Sequence, residues 1–540
     1  MAKRIVEWDD FTGGYYVGPS ATQQPRNTYQ GDNVTVAMDD ATLIPAYPVV
    51  PYSLTGTDVT AGKINISGAI DVGLPTKLND LTTFIVRTSS NVYLYVINAS
   101  FVVTKTALSL NASGGGAASF VVSRPVMIQS QSYTAEVYIA GDYRRVIKFN
   151  LDTSGAVVGS QIDITMSAMA AVGDGYLYGL AIWGARLVGW GLTANLYFSD
   201  AADFLTWSSV NYIVIGYAQD YITTVIPRNY DLIIGKPSGW YVVTGVLNYS
   251  AAVRQINNGL GVVAQDAVAE WNNQVVFSTD TGTLGFPVNL YTVNGARVNP
   301  LAFQRFSGNV QNVNIAKGPV GVLTLTYTEN NESSVSGYLW VLNQQNRWSK
   351  STINTATSAT PSDTVYFYPS ASMQSRSWMW TNPNIDILEV NMTDKVIALQ
   401  MMAIPSFEPG KNADTTPATA TVKLVDYMSQ VPISITDVLV EVEVAQLYSV
   451  YNYTGNGQVS AQINMKYPLG DLALSVGDVS STNLTYTTSI NTIPGTGTRF
   501  LGRMYRFKPD NAGHGFGFEV AVTFSGCKVR RVIAIVETHE

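Results

Sequence analysis

The chain has 540 residues, a length that accommodates several domains or one large repetitive domain. Hydrophobic residues make up 46% and charged residues 13%, which excludes a disordered chain because disorder needs low hydrophobicity and high net charge. The net charge of -7 excludes a surface built mainly to grip nucleic acid, and the single cysteine excludes a disulfide scaffold and cysteine-based zinc sites.

The first 75 residues have glycine, proline and asparagine at short intervals and no helical period. A few extended pieces, such as residues 33–38, are too little to bury a core alone. We therefore predict an extended N-terminal arm, residues 1–75, that lies along other parts of the molecule or along a neighbour. Glu7 stands where a signal peptide needs its apolar core, and no apolar run is long enough for a membrane-spanning helix. We expect synthesis in the cytoplasm and no membrane-spanning segment.

Residues 76–400 alternate short, strongly apolar runs with polar turns. The runs, such as 83–87 and 91–96, are rich in β-branched and aromatic residues, with Gly, Asn or Asp at their ends. Paired runs recur at roughly 40–55 residues, the spacing of four-stranded propeller blades. A β-sandwich array gives a similar spacing and stays open as an alternative. The pattern favours a β-propeller-like domain.

Two further segments complete the predicted organisation. Residues 401–420 are rich in Pro, Thr and Ala, which predicts a linker or long loop. In residues 421–540 the strands alternate more cleanly, as in 438–444, which is typical of antiparallel strands with one solvated face. We predict a C-terminal β-sandwich, so the whole chain is expected to be all-β.

One strand of this sandwich carries Arg499, Arg503 and Arg506, although a buried strand should not contain three arginines unless they are paired. One interpretation is a solvated edge strand whose charge discourages aggregation. The other is an inter-subunit or inter-protein contact, in which the arginines meet acids such as Glu441 or Glu443.

Signatures of catalysis, metal binding and cofactor binding are missing from the sequence. It has no phosphate-binding loop, zinc-protease or serine-hydrolase motif, and His514 lies in a glycine-rich turn. Residues 150–155 have turn residues but lack the downstream glutamate of a calcium loop, which favours a hairpin loop. We predict no enzyme activity, no metal and no cofactor.

Two weaker patterns suggest sugar chemistry. Residues 195–207 resemble the Asp-box turn of sialidase-like propellers, in which an Asp accepts backbone N–H bonds and a Trp packs between blades. A sialidase would also need arginines gathered on the propeller axis. Trp378 and Trp380 lie on one strand face and are candidates for stacking on glycans, or for the apolar seam between blades. The arginines available to a sialidase site are Arg186, Arg228, Arg254, Arg297 and Arg305.

Several segments together resemble one known family, the propeller-bearing tail structural proteins of tailed bacteriophages. This family includes the nozzle proteins of short-tailed phages and related tail-tip minor tail proteins. The similar segments are WDDFTGG at 8–14, a hairpin ending in glycine at 231–245, GLG at 259–261, a strand and turn at 274–282, a strand ending in Arg-Trp at 339–348, and the strands of 503–536.

The resemblance implies a virion structural protein of the tail, made in the host cytoplasm. Its expected partners are copies of itself, which form a ring or channel, and neighbouring tail proteins. DNA would pass through without sequence-specific binding, which suits an acidic conduit because anionic walls repel phosphates. The alternatives are a protein that binds a host receptor or glycans, and a sialidase-like hydrolase.

Overall fold

The computed structural model describes most of the chain between Ala2 and His539. The described residues are 2–11, 13–15, 27–32, 34–36, 42–45, 49–51, 53–262, 265, 267–278, 290–298, 309–317, 323–331, 334–342, 347–351, 376–380, 386–391, 396–402, 420–448, 456–466, 486–489, 497–508, 514–525 and 527–539. The predicted linker falls almost wholly on 403–419, which lie outside these residues.

The described residues of the N-terminal segment form nine strands. They are β1 (Ala2–Trp8), β2 (Gly14–Tyr15), β3 (Thr28–Asp32), β4 (Val34–Val36), β5 (Leu43–Pro45), β6 (Val49–Pro51), β7 (Thr55–Gly56), β8 (Val59–Thr60) and β9 (Lys63–Asn65).

The described strands between residues 69 and 402 fall into seven successive antiparallel groups, named blades 1 to 7 in chain order, and blade 6 continues through β4 into the sheet of the C-terminal strands. Blade 1 is β10 (Ala69–Val72), β11 (Thr76–Leu78), β12 (Leu81–Thr88), β13 (Val92–Ile97) and β14 (Val102–Ala107). Blade 2 is β15 (Val126–Ile128), β16 (Ala135–Asp142), β17 (Arg145–Leu151) and β18 (Val157–Thr165). Blade 3 is β19 (Gly179–Trp183), β20 (Arg186–Trp190), β21 (Asn195–Phe198) and β22 (Tyr212–Val214). Blade 4 is β23 (Thr224–Pro227), β24 (Asp231–Lys236), β25 (Gly239–Thr244) and β26 (Ala252–Asn258).

The remaining blades are described in fewer residues. Blade 5 is β27 (Val268–Trp271), β28 (Gln274–Ser278) and β29 (Leu290–Thr292). Blade 6 is β30 (Asn309–Lys317), β31 (Leu323–Asn331), β32 (Ser334–Leu342) and β33 (Trp348–Ser351). Blade 7 is β34 (Arg376–Trp380), β35 (Asp386–Asn391) and β36 (Val396–Met402). Helix is confined to Ser167–Val172 and two 3-10 turns, Ala112–Gly114 and Gly116–Ser119, in the described residues.

Tight turns set the register of the blades. Gly184 and Ala185 join β19 to β20 with φ of 56° and 57°, and Asn272 and Asn273 join β27 to β28 with φ of 49° and 58°. Two successive left-handed residues make the type of turn that matches the twist of a two-residue hairpin. Glycine and asparagine adopt this conformation at low cost, so the local sequence fixes the hairpins.

The blades stack around a ring through shared apolar cores. First strands of neighbouring blades contact one another. For example, β15 contacts β19, and β30 contacts β34. Between blades 3 and 4 the core includes Trp190 and Leu232, and between blades 4 and 5 it includes Trp240 and Phe277. The predicted propeller is confirmed, and the sandwich array is not the architecture of this region.

The N-terminal segment closes the ring between the last blade and the first. β9 and β6 both pair with β36 of blade 7, and β7 pairs with β14 of blade 1. Ile64 of β9 shares a core with Ile397 of blade 7 and Phe84 of blade 1. Asp58 accepts hydrogen bonds from Lys105 Nζ at 2.8 Å and Tyr95 hydroxyl at 2.6 Å, which fixes the segment to blade 1.

The C-terminal strands form the predicted β-sandwich. They are β37 (Ala420–Lys423), β38 (Tyr427–Tyr448), β39 (Asn456–Lys466), β40 (Tyr486–Ser489), β41 (Gly497–Phe507), β42 (Gly515–Ser525) and β43 (Lys528–Thr538). One layer has β42 between β37 and β39, and the other has β38 between β41 and β43. Alternate residues of the two layers, such as Val440 and Phe518, share one buried core.

The arm also completes the sandwich. β1 pairs with β43 along its whole length, β3 pairs with β37, and β4 joins β5 to β33 of blade 6. Trp8 and Phe11 are buried in the sandwich core, with the Trp8 ring edge-on to Phe518 at 6.2 Å. The described strands of the arm therefore pack on other parts of their own chain, which is one of the two alternatives predicted for the arm.

Candidate interaction surfaces

The arginine-rich strand β41 pairs with β38 along its length. Arg506 donates two hydrogen bonds to Asp437, from Nε at 2.6 Å and from an Nη at 2.9 Å. Arg506 stays exposed while the Asp437 carboxylate is buried, and these hydrogen bonds raise the pKa of the arginine. The backbones of Arg499 and Arg503 lie opposite Gln446 and Val442, and their side chains fall outside the described part of the structure.

The acids expected to meet these arginines are engaged elsewhere in the same chain. Glu443 accepts a hydrogen bond from Arg530 at 2.7 Å. Glu441 is bonded to Arg531, which also reaches Glu7 on β1 at 3.1 Å. Glu441 and Glu443 therefore tie β38 to β43 within one subunit.

An aliphatic stripe crosses the same outer face of the sandwich. Leu439 lies opposite Ile533, and Ile535 lies opposite Ile5 of the edge strand β1. These residues alternate with core residues, so they face outward. Ile5 is 70% exposed, and Met504 on β41 is 44% exposed. We call Ile5, Leu439, Met504, Ile533 and Ile535 the outer stripe.

A second apolar surface lies at one end of the propeller. Since blade strands alternate in direction, the loops after the first and third strands of each blade lie at the same end, named here the loop end. Tyr230 is 89% exposed and Tyr249 85% exposed, both in blade 4 loops. The other exposed apolar residues of the loop end are Tyr133, Leu205, Val210 and Val246.

Hydrogen bonds join the loops of blades 3 and 4 into one surface. Asn248 donates to Asn211 at 2.7 Å, and Asn211 donates to Asp200 at 2.6 Å. Asn211 is buried, so this relay holds the two loops together. Val210 and Tyr249, each next to one of these asparagines, therefore lie in loops that are joined to each other.

The Asp-box-like turn has the predicted structural role. Asp203 accepts a hydrogen bond from the Leu205 N–H at 2.9 Å. A hydrogen bond from the Thr206 side chain, together with the bond from Leu205, lowers the pKa of the aspartate. Trp207 is buried between blade 2 and blade 3, in a core with Tyr138 and Leu187. The turn thus fixes the loop that carries Leu205 and Val210.

The segment considered as a calcium loop is a hairpin turn. Asp152 accepts hydrogen bonds from the Ser154 N–H at 2.8 Å and the Ala156 N–H at 3.0 Å. The hydrogen bond from the Ser154 hydroxyl lowers the pKa of Asp152 the most, and the bonds from these N–H groups lower it further. Within the described residues, no three His, Cys, Asp or Glu side chains form a group that could hold a metal.

The described arginines of the sialidase hypothesis have different surroundings. Arg186 is buried and donates to the Ser199 carbonyl at 2.5 Å, whereas Arg254 is exposed on the outermost strand of blade 4. The Nε atom of Arg228 is 3.6 Å from the Oε1 atom of Glu270 in the neighbouring blade. Arg297 forms a backbone bridge with Tyr291 in blade 5, and Arg305 lies outside the described residues.

The candidate glycan-stacking residues lie in the first strand of the last blade. Trp378 and Trp380 lie in β34, the first strand of blade 7, opposite Glu389 and Ile387, and their side chains are outside the described part.

His514 packs edge-on against His539 with ring centroids 4.5 Å apart. Sequence reasoning placed His514 in a turn but gave no signal that the two histidines meet.

Sequence reasoning also missed both apolar surfaces. Tyr230 and Tyr249 stand in polar loops, where a single aromatic residue gives no period. The outer stripe alternates with core residues, so its isoleucines read as ordinary strand residues. A count of apolar residues in hairpin loops would have found the loop end.

Comparisons with known proteins give similarity of fold only. No protein family matches the sequence, and no curated protein matches it. Similar solved structures include the mitotic checkpoint complex (12% identity, TM-score 0.39, 63% of this chain and 90% of that one) and the Cps50 (Swd1) β-propeller domain of Myceliophteria thermophila (11%, 0.37, 63% and 99%). Raptor of Chaetomium thermophilum is 10% identical in sequence with a TM-score of 0.39, and the match covers 64% of this chain and 30% of that chain. The propeller assignment rests on the sheet order, since these scores are low.

The described chain holds no helix that is long and apolar enough to cross a membrane.

Proposed function

We propose that this chain is a structural protein of a bacteriophage tail, either a nozzle or a tail tip, and not an enzyme. Copies of it form a ring or channel through which DNA is delivered into the host, in contact with neighbouring tail proteins. The resemblance of segments such as 231–245 and 339–348 supports this proposal. The protein is then located in the virion tail after synthesis in the host cytoplasm.

The observation that carries the proposal is the loop end of the propeller. A closed propeller that acts alone has no need of exposed apolar loops, whereas contiguous exposed apolar surface marks association sites. Strands of the arm pair with blade 6 and the sandwich in one sheet, with blade 1 in a second sheet and with blade 7 in a third. A body of this kind suits a part that transmits load in an assembly.

The charge balance supports a conduit. With a net charge of -7, the protein repels DNA phosphates at distances within the Debye length, about 8 Å in physiological salt. DNA then passes along the surface without sequence-specific contacts.

The test is to locate the protein in particles and remove it from them. A stop codon early in its gene, suppressed in one host and not in another, should give particles that lack the tail structure and fail to eject DNA. Immunogold labelling of suppressed particles should mark the tail. Complete, infectious particles without the protein would rule the proposal out, and turnover of fluorogenic glycosides by the pure protein would favour the hydrolase.

A second function, glycan or receptor binding, is favoured by one observation. Tyr230 and Tyr249 present aromatic rings almost fully to solvent at the loop end, and such rings stack on sugars. On a glycan array, Tyr230→Ala and Tyr249→Ala should lose binding that Tyr217→Ala retains. Tyr217, 75% exposed, is the matched control because it lies in the connection between blades at the opposite end. An array with no binding by the unmodified protein would remove this candidate.

A further inference from the structure

The two histidines of the chain meet at one end of the C-terminal sandwich. His514 precedes β42 of one layer, and His539 follows β43 of the other layer. At this end Gly515 and Thr538 both pair with the same residue of β38, Ile433, from its two sides. The imidazoles therefore bridge two strands whose backbones lie about 10 Å apart, which is twice the spacing of neighbouring strands.

The separation of the two rings fits a pair of ligands on one metal ion. The ring centroids are 4.5 Å apart, and the ring planes are nearly perpendicular, at 89°. Two imidazoles whose nitrogens lie about 2.1 Å from a shared ion have ring centres roughly 4.5–5 Å apart. Neutral imidazole is a ligand that suits Zn²⁺, Ni²⁺ and Cu²⁺.

His539 is held in the way that a metal-binding histidine is held. Its backbone N–H donates to the Pro432 carbonyl at 2.8 Å, and its Nε2 atom lies 2.8 Å from the Ser434 hydroxyl oxygen. Ser434 is buried, so its hydroxyl is a fixed partner. A hydrogen bond of this kind selects the tautomer of a ligating ring and orients it. When Nε2 donates to Ser434, the Nδ1 atom of His539 keeps its lone pair for an ion.

His514 is the accessible half of the pair. It is exposed, so a hydrated ion can reach it from solvent. The carboxylate of Glu537, two residues before His539, forms an ion pair with Lys3 of β1 at 3.4 Å. We therefore count two protein ligands, and water completes the coordination.

We propose that His514 and His539 form a two-ligand site for a divalent transition-metal ion, which joins the two layers of the sandwich. The ion ties the beginning of β42 to the end of β43, where β1 also starts, since Ala2 lies opposite Thr538. The site departs from the sequence-based prediction of no metal, because only the fold brings the two histidines together. It goes beyond the proposed function and does not depend on it.

The expected affinity follows from the number of ligands. Two ligands are half of those in a structural zinc site, and half of the binding free energy of such a site gives a dissociation constant from about 1 to a few hundred micromolar. Calorimetric titration of the untagged, full-length protein with ZnCl₂ and with NiCl₂ should show one ion per chain in this range. MgCl₂ is the control, because Mg²⁺ prefers oxygen ligands and should give no heat of binding.

The main variant removes the exposed ligand. His514→Ala should move the dissociation constant for Zn²⁺ and Ni²⁺ beyond about 1 mM, because a single imidazole keeps only half of the ligands. Since His514 is exposed, this variant should stay folded, which circular dichroism checks. Saturating Zn²⁺ should raise the Tm of the unmodified protein and leave that of His514→Ala unchanged, because an ion that binds only the folded state stabilises it.

A second variant tests the positioning residue. Ser434→Ala leaves both ligands in place and removes the hydroxyl beside the Nε2 atom of His539. Loss of such a partner weakens metal binding by about 10- to 100-fold, which the same titration measures. An unchanged affinity would overturn the orienting role of Ser434.

Two results would overturn the site itself. One is the absence of any heat of binding when the unmodified protein is titrated with Zn²⁺ and Ni²⁺ up to about 1 mM, well above the expected dissociation constant. The other is His514→Ala that binds either ion with the affinity of the unmodified protein, which would place the ion on other ligands. Neither result bears on the tail protein proposal, which the particle experiments test separately.

Discussion

Blade 4 and the C-terminal sandwich are both antiparallel β-structure, but they are assembled over very different distances along the chain. In blade 4, β24 and β25 are joined by Pro237 and Ser238, and every strand pairs with the next one in sequence. In the sandwich, Ala2 pairs with Thr538, and β1 lies against the last strand. The propeller blades therefore form from local hairpins, whereas the sandwich needs both ends of the chain.

This difference has a consequence for folding. Local hairpins have a small loop-closure cost, and long-range pairing must meet that cost before its contacts stabilise the fold. We expect blades 1 to 5 to form first during synthesis and the sandwich to form last. Ring closure is intermediate, because β9 pairs with a strand more than three hundred residues later, at Ile64 and Ile397.

The largest expected effect comes from the long-range half of the comparison. Trp8→Ala removes an almost fully buried ring that packs against Phe518 in the sandwich core. A large-to-small change of this kind costs about 3–5 kcal/mol. Hydrogen exchange should rise sharply in β42 and β43 and stay unchanged in blades 2 to 4.

The matched control is Trp190→Ala, which removes an equally buried indole from the core between blades 3 and 4. It should raise exchange in these blades and leave β43 protected. If each variant raised exchange in both bodies equally, the propeller and the sandwich would unfold as one unit and the comparison would fail.

The second effect concerns ring closure. Ile64→Ala leaves a cavity between blade 7 and blade 1, next to Ile397 and Phe84, and should cost about 2–4 kcal/mol. The loss should appear as faster exchange in blades 1 and 7. Ile70→Ala, at a position that is 47% exposed in β10, is the control and should change stability little. Equal effects of the two changes would contradict the closure by β9.

The organisation of the fold was largely predictable, and the reason is the same difference in sequence distance. Runs such as 83–87 and 274–277 lie inside β12 and β28, because alternating apolar residues and turn residues act locally. The destinations of the arm strands were not predictable, since β1, β4 and β9 are short and their partners lie hundreds of residues away.

The candidate surfaces were less predictable than the fold. The sequence located the strand with Arg499, Arg503 and Arg506, but the partner of Arg506 is Asp437, two residues before Leu439, which lies opposite Arg506. The register between two strands that are about seventy residues apart leaves no local sequence pattern. The pairing of Glu441 and Glu443 with β43 depends on strand order, which sequence periodicity does not contain.

A third prediction tests the link from the arm to blade 1 through pH. Burial alone would raise the pKa of Asp58, but the hydrogen bonds from Lys105 and Tyr95 outweigh it and lower the pKa. A carboxylate with a lowered folded pKa stabilises the fold above its unfolded pKa, about 4, and this stabilisation is lost as the pH falls through the folded pKa. Lys105→Met should therefore destabilise the protein by about 1 kcal/mol at pH 7 and by less at pH 3.

Urea unfolding at the two pH values measures this difference. Lys423→Met, in the exposed position of β37, is the control and should show no such pH dependence. A destabilisation by Lys105→Met that is equally large at pH 3 would mean that the lysine acts through packing of its stem and not through the charge of Asp58.

The smallest effect is expected inside a single hairpin loop. Asp203→Ala removes the acceptor of the Leu205 N–H in the Asp-box-like turn, and since the site is exposed, water replaces most of that bond. The cost should be about 0.5–1 kcal/mol, with faster exchange at Leu205 alone, because Trp207 keeps its contacts between blades 2 and 3. Asp203→Asn retains an acceptor oxygen and should recover most of the loss.

Since the pKa of Asp203 is lowered, the difference in stability between Asp203→Ala and the unmodified protein should shrink as the pH falls below about 4. An effect that spread to blade 2 would show that the turn also positions the Trp207 indole, and the loop would then belong to the core between the blades.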